Sequence, residues 1–229
     1  MQSGLSELQK SLGIKFNRPE LLEQAFYHRS YLNEFKGELV SNERLEFLGD
    51  SVLSLITSET LFNLRKGDAE GDLTNLRAYI VKTKSLSEAS KKLNLGKYLK
   101  LSKGEEMGGG RENPQLLANT YEALLGAIFL DQGLEAVRNI IEKTLFSLFE
   151  KELKLGPPKD AKSSLQEIVQ DRFKQSPHYK IVATTGPDHA KKFQVAVYVS
   201  GKEYGIGSGA SKQVAEEKAA KEALEKLAK

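Results

Sequence analysis

The stretch from Asn42 to Leu53 combines the spacing of a buried helix with three carboxylates on one stripe. Apolar residues recur in and just after it at steps of three or four positions, and they are Leu45, Leu48, Val52 and Leu55. That spacing predicts a helix with one buried or half-buried face. Glu43, Glu46 and Asp50 follow the same steps, so their side chains share a line along the helix and repel one another.

Two interpretations account for this acidic stripe. One is a solvated edge beside the apolar face, which is the ordinary role of carboxylates at this spacing. The other is a site for a hard cation, because Mg²⁺ prefers carboxylate oxygens and offsets their mutual repulsion. A second acidic helix elsewhere in the chain would favour the cation site.

The stretch from Leu116 to Ala127 supplies such a helix. It is strongly apolar, and it carries Asn119 and Glu122 three positions apart. A glycine-rich segment precedes it, and Pro114 suits the first turn of a helix. If the two helices pack together, they bring oxygen ligands from both to one point, as helix bundles do when they build metal sites.

The residues from Glu43 to Ser51, Glu-Arg-Leu-Glu-Phe-Leu-Gly-Asp-Ser, closely resemble the signature of the ribonuclease III family. The stretch from Leu117 to Asp131 resembles the second acidic motif of that family, and the C-terminal part resembles a double-stranded-RNA-binding domain. The resemblance thus covers nearly the whole chain. It implies an all-α ribonuclease III-like endonuclease domain followed by a small α+β domain of order α-β-β-β-α, and it favours the cation site.

The resemblance also assigns roles to individual residues. The metal site it implies consists of Glu46, Asp50, Asn119 and Glu122, and the catalytic acids are Asp50, Glu122, Glu46, Glu43 and Glu70. Glu43 and Glu70 are second-tier acids near the cleavage site. The implied cofactor is Mg²⁺, for which Mn²⁺ can substitute, and no small-molecule cofactor is expected.

The implied reaction is hydrolysis of double-stranded RNA, in the processing and decay of rRNA and mRNA precursors. Its products carry 5′-phosphates and 3′-hydroxyls with short 3′ overhangs. The enzyme is expected to be a homodimer that places one acidic site on each strand. Phe47 is predicted to contact the partner subunit, with a position in the core of its own subunit as the alternative.

Asn119 departs from the family pattern, in which the usual residue is Asp. An amide oxygen can ligate Mg²⁺ directly or through water, but it brings no charge. Because Glu46, Asp50 and Glu122 remain, an active enzyme is the favoured prediction. The alternatives are a double-stranded-RNA-binding protein with a weakened or silent nuclease site, and a structural relative associated with ribosomes. The retained acids argue against the second alternative.

The chain predicts a domain boundary where helical periodicity gives way to alternation. The nuclease domain is assigned to residues 1–155, the linker to 156–160 and the RNA-binding domain to 161–229. The linker contains Gly156-Pro157-Pro158, which cannot continue a helix. The predicted elements after it are a helix at 163–173, strands at 179–185, 193–199 and 202–208, and a last helix capped by Ser211.

Five polar residues of the second domain are candidates for RNA binding. They are Gln166, Gln170, His189, Lys212 and Gln213. A protein that recognises A-form RNA needs spaced contacts to minor-groove hydroxyls and phosphates over about 16 bp, and it does not need base-specific contacts. The two glutamines and the histidine suit successive minor grooves, while the start of the last helix suits the phosphates between them. That helix lacks the usual consecutive basic residues, which predicts weaker phosphate binding.

Charge and composition limit the remaining possibilities. Residues 1–155 carry a net charge of −1 and residues 156–229 a net charge of +4, so the C-terminal part is the likelier binder of a polyanion on electrostatic grounds. The chain has no cysteine, which excludes a disulfide framework and a thiolate zinc site. It shows neither a signal peptide nor an apolar run long enough for a membrane, so a cytoplasmic location without membrane partners is expected.

Three further predictions concern the first domain. Residues 102–112 are polar and glycine-rich, which predicts a loop, and Arg111 within it is either a solvated charge or a phosphate contact. The spacing of apolar residues at 134–153 predicts one amphipathic helix. His28 lacks an acidic or nucleophilic partner at a recognisable spacing, so a structural or surface role is favoured, with a supporting role near the acidic helix as the alternative.

Overall fold

The computed structural model forms two compact units, Met1–Pro157 and Pro158–Lys229. The residues that it describes are 2–34, 37, 39–157, 160–187 and 191–228. In the described part of the chain, no helix is both long enough and apolar enough to cross a membrane.

The first unit is helical. Its helices are α1 (Gln2–Leu12), α2 (Pro19–Gln24), α3 (Arg29–Leu32), α4 (Glu43–Leu64), α5 (Glu70–Ile80), α6 (Thr83–Lys92), α7 (Lys103–Met107), α8 (Pro114–Gln132), α9 (Leu134–Thr144) and α10 (Glu150–Leu155). The two long helices α4 and α8 pack against each other in the core, where Leu53, Ile56 and Leu124 are fully buried. The acidic stretch and the second motif therefore lie on the two central helices of this unit.

The outer face of α4 carries exposed apolar side chains. Phe47 is 77 % exposed, Leu55 is 55 % exposed and Phe62 is 71 % exposed. Their spacing of eight and seven positions places them on one broad face of the helix. The prediction that Leu55 lies on the buried face with Leu45 and Val52 is therefore wrong, and Phe47 is not a core residue of its own subunit.

The predicted loop at residues 102–112 is wrong, because it contains α7 and a 3₁₀ turn at Gly110–Glu112. Ser102 caps α7 by accepting the backbone N–H of Glu105 at 3.2 Å. A Ser followed three residues later by Glu is a recognised start signal for a helix, so the sequence contained the evidence for α7. The high glycine content obscured that signal.

The single helix predicted at residues 134–153 is also interrupted. Between α9 and α10 lies a 3₁₀ turn at Phe146–Leu148. In that turn the backbone N–H of Leu148 donates to the carbonyl of Leu145 at 2.9 Å. Leu145, Phe146 and Phe149 are buried in and beside this turn, so the chain keeps its apolar side toward the core while the α-helix is interrupted.

The second unit has the predicted order α-β-β-β-α, so the predicted fold class is confirmed for both units. Its elements are α11 (Ala161–Phe173), β1 (His178–Thr185), β2 (Lys192–Val199), β3 (Lys202–Gly209) and α12 (Lys212–Leu227). The strands form an antiparallel sheet in the order β1-β2-β3. Ser200 and Gly201 both have positive φ, which suits the two-residue hairpin between β2 and β3.

Helix α12 lies close to strand β3. A Cβ added at Gly207 would lie 2.1 Å from the backbone oxygen of Ala215, and one at Gly205 would lie 2.3 Å from that of Ala219. Glycine on the strand and alanine on the helix therefore let two backbones approach each other. Ser211 caps α12 as predicted, because its hydroxyl accepts the backbone N–H of Val214 at 3.2 Å.

Candidate active site

The crossing of α4 and α8 brings the two acidic motifs together. A Cβ added at Gly49 would lie only 1.8 Å from the backbone oxygen of Glu122, and one at Gly126 would lie 2.2 Å from that of Leu45. Only glycine at both positions allows the backbones to come this close. The turn of α4 between Glu46 and Asp50 consequently lies against the turn of α8 that carries Glu122.

These acidic side chains act on one another. The pKa of Glu122 is raised to about 8, first by burial and then by the charges of Asp50 and Glu46. The pKa of Glu46 is also raised, by burial and by the nearby Glu43 and Asp50, while a hydrogen bond from Asn119 opposes the shift. A positive charge placed among these groups would relieve the repulsion of all of them.

The carboxylate oxygens at the crossing are of the kind that binds a hard divalent cation. Their side chains do not converge on one point in this structure. Among the side chains that the structure describes, no three His, Cys, Asp or Glu groups converge closely enough to hold a metal ion. The available donors are the carboxylates of Glu46, Asp50 and Glu122, and carboxylate oxygens are the ligands that Mg²⁺ prefers. The pKa values of Glu46 and Glu122 are raised in part by the charges of neighbouring acids, and a bound cation would offset that repulsion.

A shallow pocket beside this crossing is lined by Glu46, Glu43, Asn119, Gln115 and His28, among others. Glu43 stands at the start of α4, where it accepts a hydrogen bond from the hydroxyl of Ser41 at 2.8 Å. Because α4 begins with Glu43 and Glu46, both carboxylates also lie at the positive end of the helix dipole.

His28 supports the wall of this pocket. Its ring Nδ1 lies 2.8 Å from the hydroxyl oxygen of Ser30, and that oxygen accepts the backbone N–H of Ser102 at 3.0 Å. Burial is the main cause that lowers the pKa of His28. The contact with Ser30 fits the structural role that the sequence favoured, and the position in this pocket also places His28 near the acidic helix.

Glu70 lies elsewhere on the subunit. It opens α5 and accepts the hydroxyl of Thr74 at 3.0 Å. It lines a separate groove with Leu55, Phe62 and Arg77, next to the exposed apolar face of α4. Within one chain, Glu43 therefore lies near the acids of the crossing, whereas Glu70 does not.

Arg111 has a structural role. Its guanidinium donates to Glu106 at 2.7 Å and to the carbonyl oxygens of Gly96 and Leu99, both at 2.9 Å. These bonds hold the segment after α6 against the start of α8. The sequence predicted either a solvated charge or a phosphate contact, and the side chain is 36 % exposed while bonded to these partners.

Asn42 and the paired glycines are the residues that sequence reasoning missed. Asn42 is buried and its side-chain amide donates to the carbonyl of Ala25 at 3.2 Å, while its own carbonyl accepts the N–H of Glu46 at 2.9 Å. An Asn before an acidic first turn is a visible signal, but it predicts a side-chain cap that does not form here. Gly49 and Gly126 were visible only as parts of the motifs.

The second unit exposes the residues predicted to bind RNA. Gln166 and Gln170 lie one turn apart on the solvent face of α11, and Lys212 and Gln213 are exposed in the first turn of α12. His189 lies outside the described residues. The structure thus leaves four of the five predicted contacts open to a ligand, and their role remains a prediction.

Comparisons with known proteins agree with this two-unit organisation. A family model described as Ribonuclease-III-like matches residues 18–148, and one described as Double-stranded RNA binding motif matches residues 161–227. The chain is 45 % identical over 224 residues to Ribonuclease 3 of Dehalococcoides mccartyi, covering 97 % of this chain and 94 % of that protein. It is 46 % identical over 222 residues to Ribonuclease 3 of Listeria monocytogenes, covering 96 % of each.

Solved structures are similar to the first unit. The nuclease domain of ribonuclease III from Campylobacter jejuni, in a crystal structure at 2.2 Å resolution, matches with a TM-score of 0.59 and 41 % identity. The match covers 64 % of this chain and 97 % of that one. A second structure of the same domain, titled for structural flexibility in a region involved in dimer formation, has a TM-score of 0.58 and 42 % identity, covering 62 % of this chain and 96 % of that chain.

Proposed function

Because this chain belongs to the ribonuclease III family and is an endoribonuclease specific for double-stranded RNA, we propose a Mg²⁺-dependent hydrolysis that leaves 5′-phosphates and 3′-hydroxyls with short 3′ overhangs. The processing and decay of rRNA and mRNA precursors are the proposed roles. The observation that carries the proposal is the close crossing of α4 and α8 at Gly49 and Gly126. It places Glu122 within the electrostatic reach of Glu46 and Asp50.

In this proposal Glu46, Asp50 and Glu122 hold the cation, with Asn119 beside them. Bound Mg²⁺ would supply an activated water and offset charge on the phosphate and on the leaving 3′-oxygen. Glu122 is the acid whose ionisation depends most on that offset, because its pKa is raised to about 8 without it. Glu43 borders the pocket and adds negative charge at its rim.

A homodimer explains the exposed apolar face of α4. Phe47, Leu55 and Phe62 share an exposed face that a second copy of the chain would cover. Phe47 is the proposed contact with the partner subunit. Glu70 borders the same face, so dimerisation would bring it beside the partner, which accounts for the catalytic role that the family resemblance assigns to it.

The second unit is proposed to supply most of the affinity for the duplex. Gln166 and Gln170 would contact one minor groove, His189 the next, and Lys212 with Gln213 the phosphates between them. Such binding depends on shape and phosphate charge rather than on base sequence.

Single-turnover cleavage of a long duplex RNA with Mg²⁺ tests the proposal. We expect the protein to cut, Glu122→Gln to lose at least about 100-fold in rate, and both proteins to bind the duplex equally. Cleavage by Glu122→Gln at the normal rate would contradict the assignment of the cation site. Duplex binding without cleavage by the parent, with cleavage restored in Asn119→Asp, would instead favour a binding protein with a silent nuclease site.

A further inference from the structure

Hydrogen bonds at two ends join α11 to α12 in the second unit. At the start of α11, the backbone N–H of Ala161 donates to the Glu217 carboxylate at 2.6 Å, and the N–H of Lys162 donates to the other oxygen at 3.4 Å. At the far end, the guanidinium of Arg172 donates to the carbonyl of Leu227 at 2.9 Å. The two helices therefore run side by side in the same direction.

Glu217 acts as a helix cap that a neighbouring helix supplies. The first N–H groups of a helix have no partner within it, and they form the positive end of its dipole. Asp160 accepts the N–H of Ser163 at 2.7 Å, and Glu217 accepts the two N–H groups that precede it. An ion pair of 2.6 Å between Lys162 and Glu216 reinforces this joint between the first turn of α11 and the second turn of α12.

The apolar contact between the two helices defines their relative position less sharply. Helix α11 contributes Leu165 and Val169, whereas α12 contributes Ala219, Ala220 and Ala223. Alanine methyl groups are short, and the gain from burying apolar surface has no preferred direction. A small shift of one helix along the other would keep most of that contact, but it would break hydrogen bonds of defined length and angle.

The residues proposed to contact RNA lie close to the joint on both helices. Gln166 is exposed one turn after Lys162, and Lys212 and Gln213 are exposed about one turn before Glu217. With a rise of about 1.5 Å per residue, both sets stand within about 8 Å of the joint along their helices. A change at the joint would therefore alter the distance between the proposed minor-groove contact and the proposed phosphate contacts.

We infer that Glu217 is a positioning residue for duplex recognition, which fixes α11 on α12 and thereby the spacing between Gln166 and the first turn of α12. This inference rests on the proposed role of the second unit in RNA binding. Duplex RNA is recognised by shape, so contacts to a groove and to the neighbouring phosphates have to form together. The charge of Glu217 by itself repels phosphate, so its contribution to binding comes from geometry.

The experiment compares the binding of the full-length protein to an RNA duplex of about 16 bp and to a single strand of the same length. A chelator prevents cleavage, and fluorescence anisotropy reports binding. The single strand presents phosphate charge without the shape of the duplex. The ratio of the two affinities therefore measures recognition of shape, which a variant with unaltered geometry does not change.

Four variants separate geometry from charge. Glu217→Met removes both acceptor oxygens, whereas Glu217→Gln loses the same charge but keeps one. Glu225→Met is the matched control, because it removes the charge of an exposed residue on the same helix. Ala161→Pro removes the N–H donor and keeps every charge. Proline suits the first position of a helix, and Asp160 before it already has the extended backbone that proline requires.

We expect Glu217→Met and Ala161→Pro to weaken duplex binding by about three- to tenfold, the equivalent of about one hydrogen bond, without weakening single-strand binding. Glu217→Gln and Glu225→Met should bind the duplex at least as tightly as the parent, because one repulsive charge is lost. Thermal unfolding confirms that each variant is folded at the assay temperature. Ala161→Pro retains the cap at Asp160, so it carries the test if Glu217→Met does not fold.

Two results would overturn the inference. One is duplex binding by Glu217→Met that is as tight as that of Glu217→Gln and Glu225→Met, which would leave Glu217 with an effect of charge alone. The other is an equal loss of duplex and single-strand binding in folded Glu217→Met and Ala161→Pro, because a change of spacing affects only the duplex.

Gln166→Ala in the same assay distinguishes this inference from the proposed function. If Gln166→Ala binds the duplex as tightly as the parent, the proposed minor-groove contact is wrong and Glu217 has nothing there to position. If Gln166→Ala weakens duplex binding while Glu217→Met and Ala161→Pro leave it unchanged, the contact stands and only the positioning role of Glu217 fails.

Discussion

The acids at the crossing of α4 and α8 and two acids of the second unit are held in opposite ways. At the crossing of α4 and α8, Glu46 and Glu122 face other acids under partial burial, and both pKa values are raised. In the second unit, Glu222 accepts hydrogen bonds from Lys226 at 2.7 Å and from the backbone of Ile206 at 3.0 Å, and its pKa is lowered. Asp160 caps α11, and hydrogen bonding to Ser163 lowers its pKa too.

Acids of the second kind stabilise the fold. Acids of the first kind repel one another, and the fold holds them together in spite of that repulsion. Carboxylates that receive N–H groups or an ammonium group stabilise their unit at neutral pH. Carboxylates crowded against one another destabilise theirs until a cation or a proton arrives. The arrangement at α4 and α8 therefore indicates a function rather than a contribution to folding.

The largest effect is expected where the backbones of α4 and α8 meet. In Gly49→Ala the new Cβ would lie 1.8 Å from the oxygen of Glu122, so the helices must separate and the acids with them. We expect cleavage to fall at least about 100-fold and the free energy of unfolding to fall by about 1–3 kcal/mol or more. Cleavage assays and denaturant unfolding measure both. Gly104→Ala, where a Cβ meets open space within a helix, is the control and should lower neither.

The next prediction concerns pH. Folding raises the pKa of Glu122 from 4.5 to about 8, so the metal-free folded protein binds a proton there that the unfolded chain releases. The contribution of Glu122 to stability therefore declines as the pH rises from 4.5 to about 8. Denaturant unfolding in a chelator should show that decline, and it should be smaller in Glu122→Gln. If the stability of both proteins fell equally with pH, Glu122 would not be the cause of the decline.

The contribution of Asp160 to the stability of the second unit should change with pH in the opposite direction to that of Glu122. Asp160→Ala removes the cap of α11, in which the carboxylate accepts the N–H of Ser163 at 2.7 Å. We expect the second unit to lose about 1 kcal/mol of stability, measured by thermal unfolding at neutral pH. Asp160→Asn keeps a capping oxygen and should lose much less. In the parent this contribution is complete above pH 3.8, the ordinary pKa of Asp, and is lost as the pH falls through the lowered value.

The smallest effect is expected at the surface pair of Glu222 and Lys226. Glu222→Gln keeps an oxygen for the N–H of Ile206 but loses the ion pair, whose groups are both largely exposed. The expected loss is about 0.3–0.5 kcal/mol, and it should vanish in high salt because an exposed pair is screened. A larger, salt-independent loss in thermal unfolding would show that the hydrogen bond to the backbone dominates.

Local signals predicted most of the fold. The order of helices and strands, the cap at Ser211 and the hairpin at Ser200-Gly201 follow from periods and turn residues that involve near neighbours in sequence. The errors arose where local signals conflicted. The glycine content of residues 102–112 predicted a loop, although Ser102 is a cap signal for α7. The apolar spacing of residues 134–153 is continuous, so it gave no sign of the 3₁₀ turn at Phe146–Leu148.

The candidate site was predictable as a list of residues but not as an arrangement. Glu46, Asp50 and Glu122 stand out as acids on apolar helices, and a resemblance named their roles. Nothing in the spacing shows that Glu70 lines a different groove from Glu46 within one chain. Nor does it show that Arg111 donates to Glu106 and to the carbonyl oxygens of Gly96 and Leu99. Those facts depend on partners that are distant in sequence or in adjoining turns of irregular backbone.

The sequence by itself determined the two kinds of unit and the helices that carry the acids, because helical and strand periods are properties of neighbouring residues. Only the tertiary structure decided how those acids meet. The approach of α4 to α8 is set by the missing Cβ atoms of Gly49 and Gly126. A distance between two backbones is determined by the atoms on the facing element, which no pattern along one chain segment encodes.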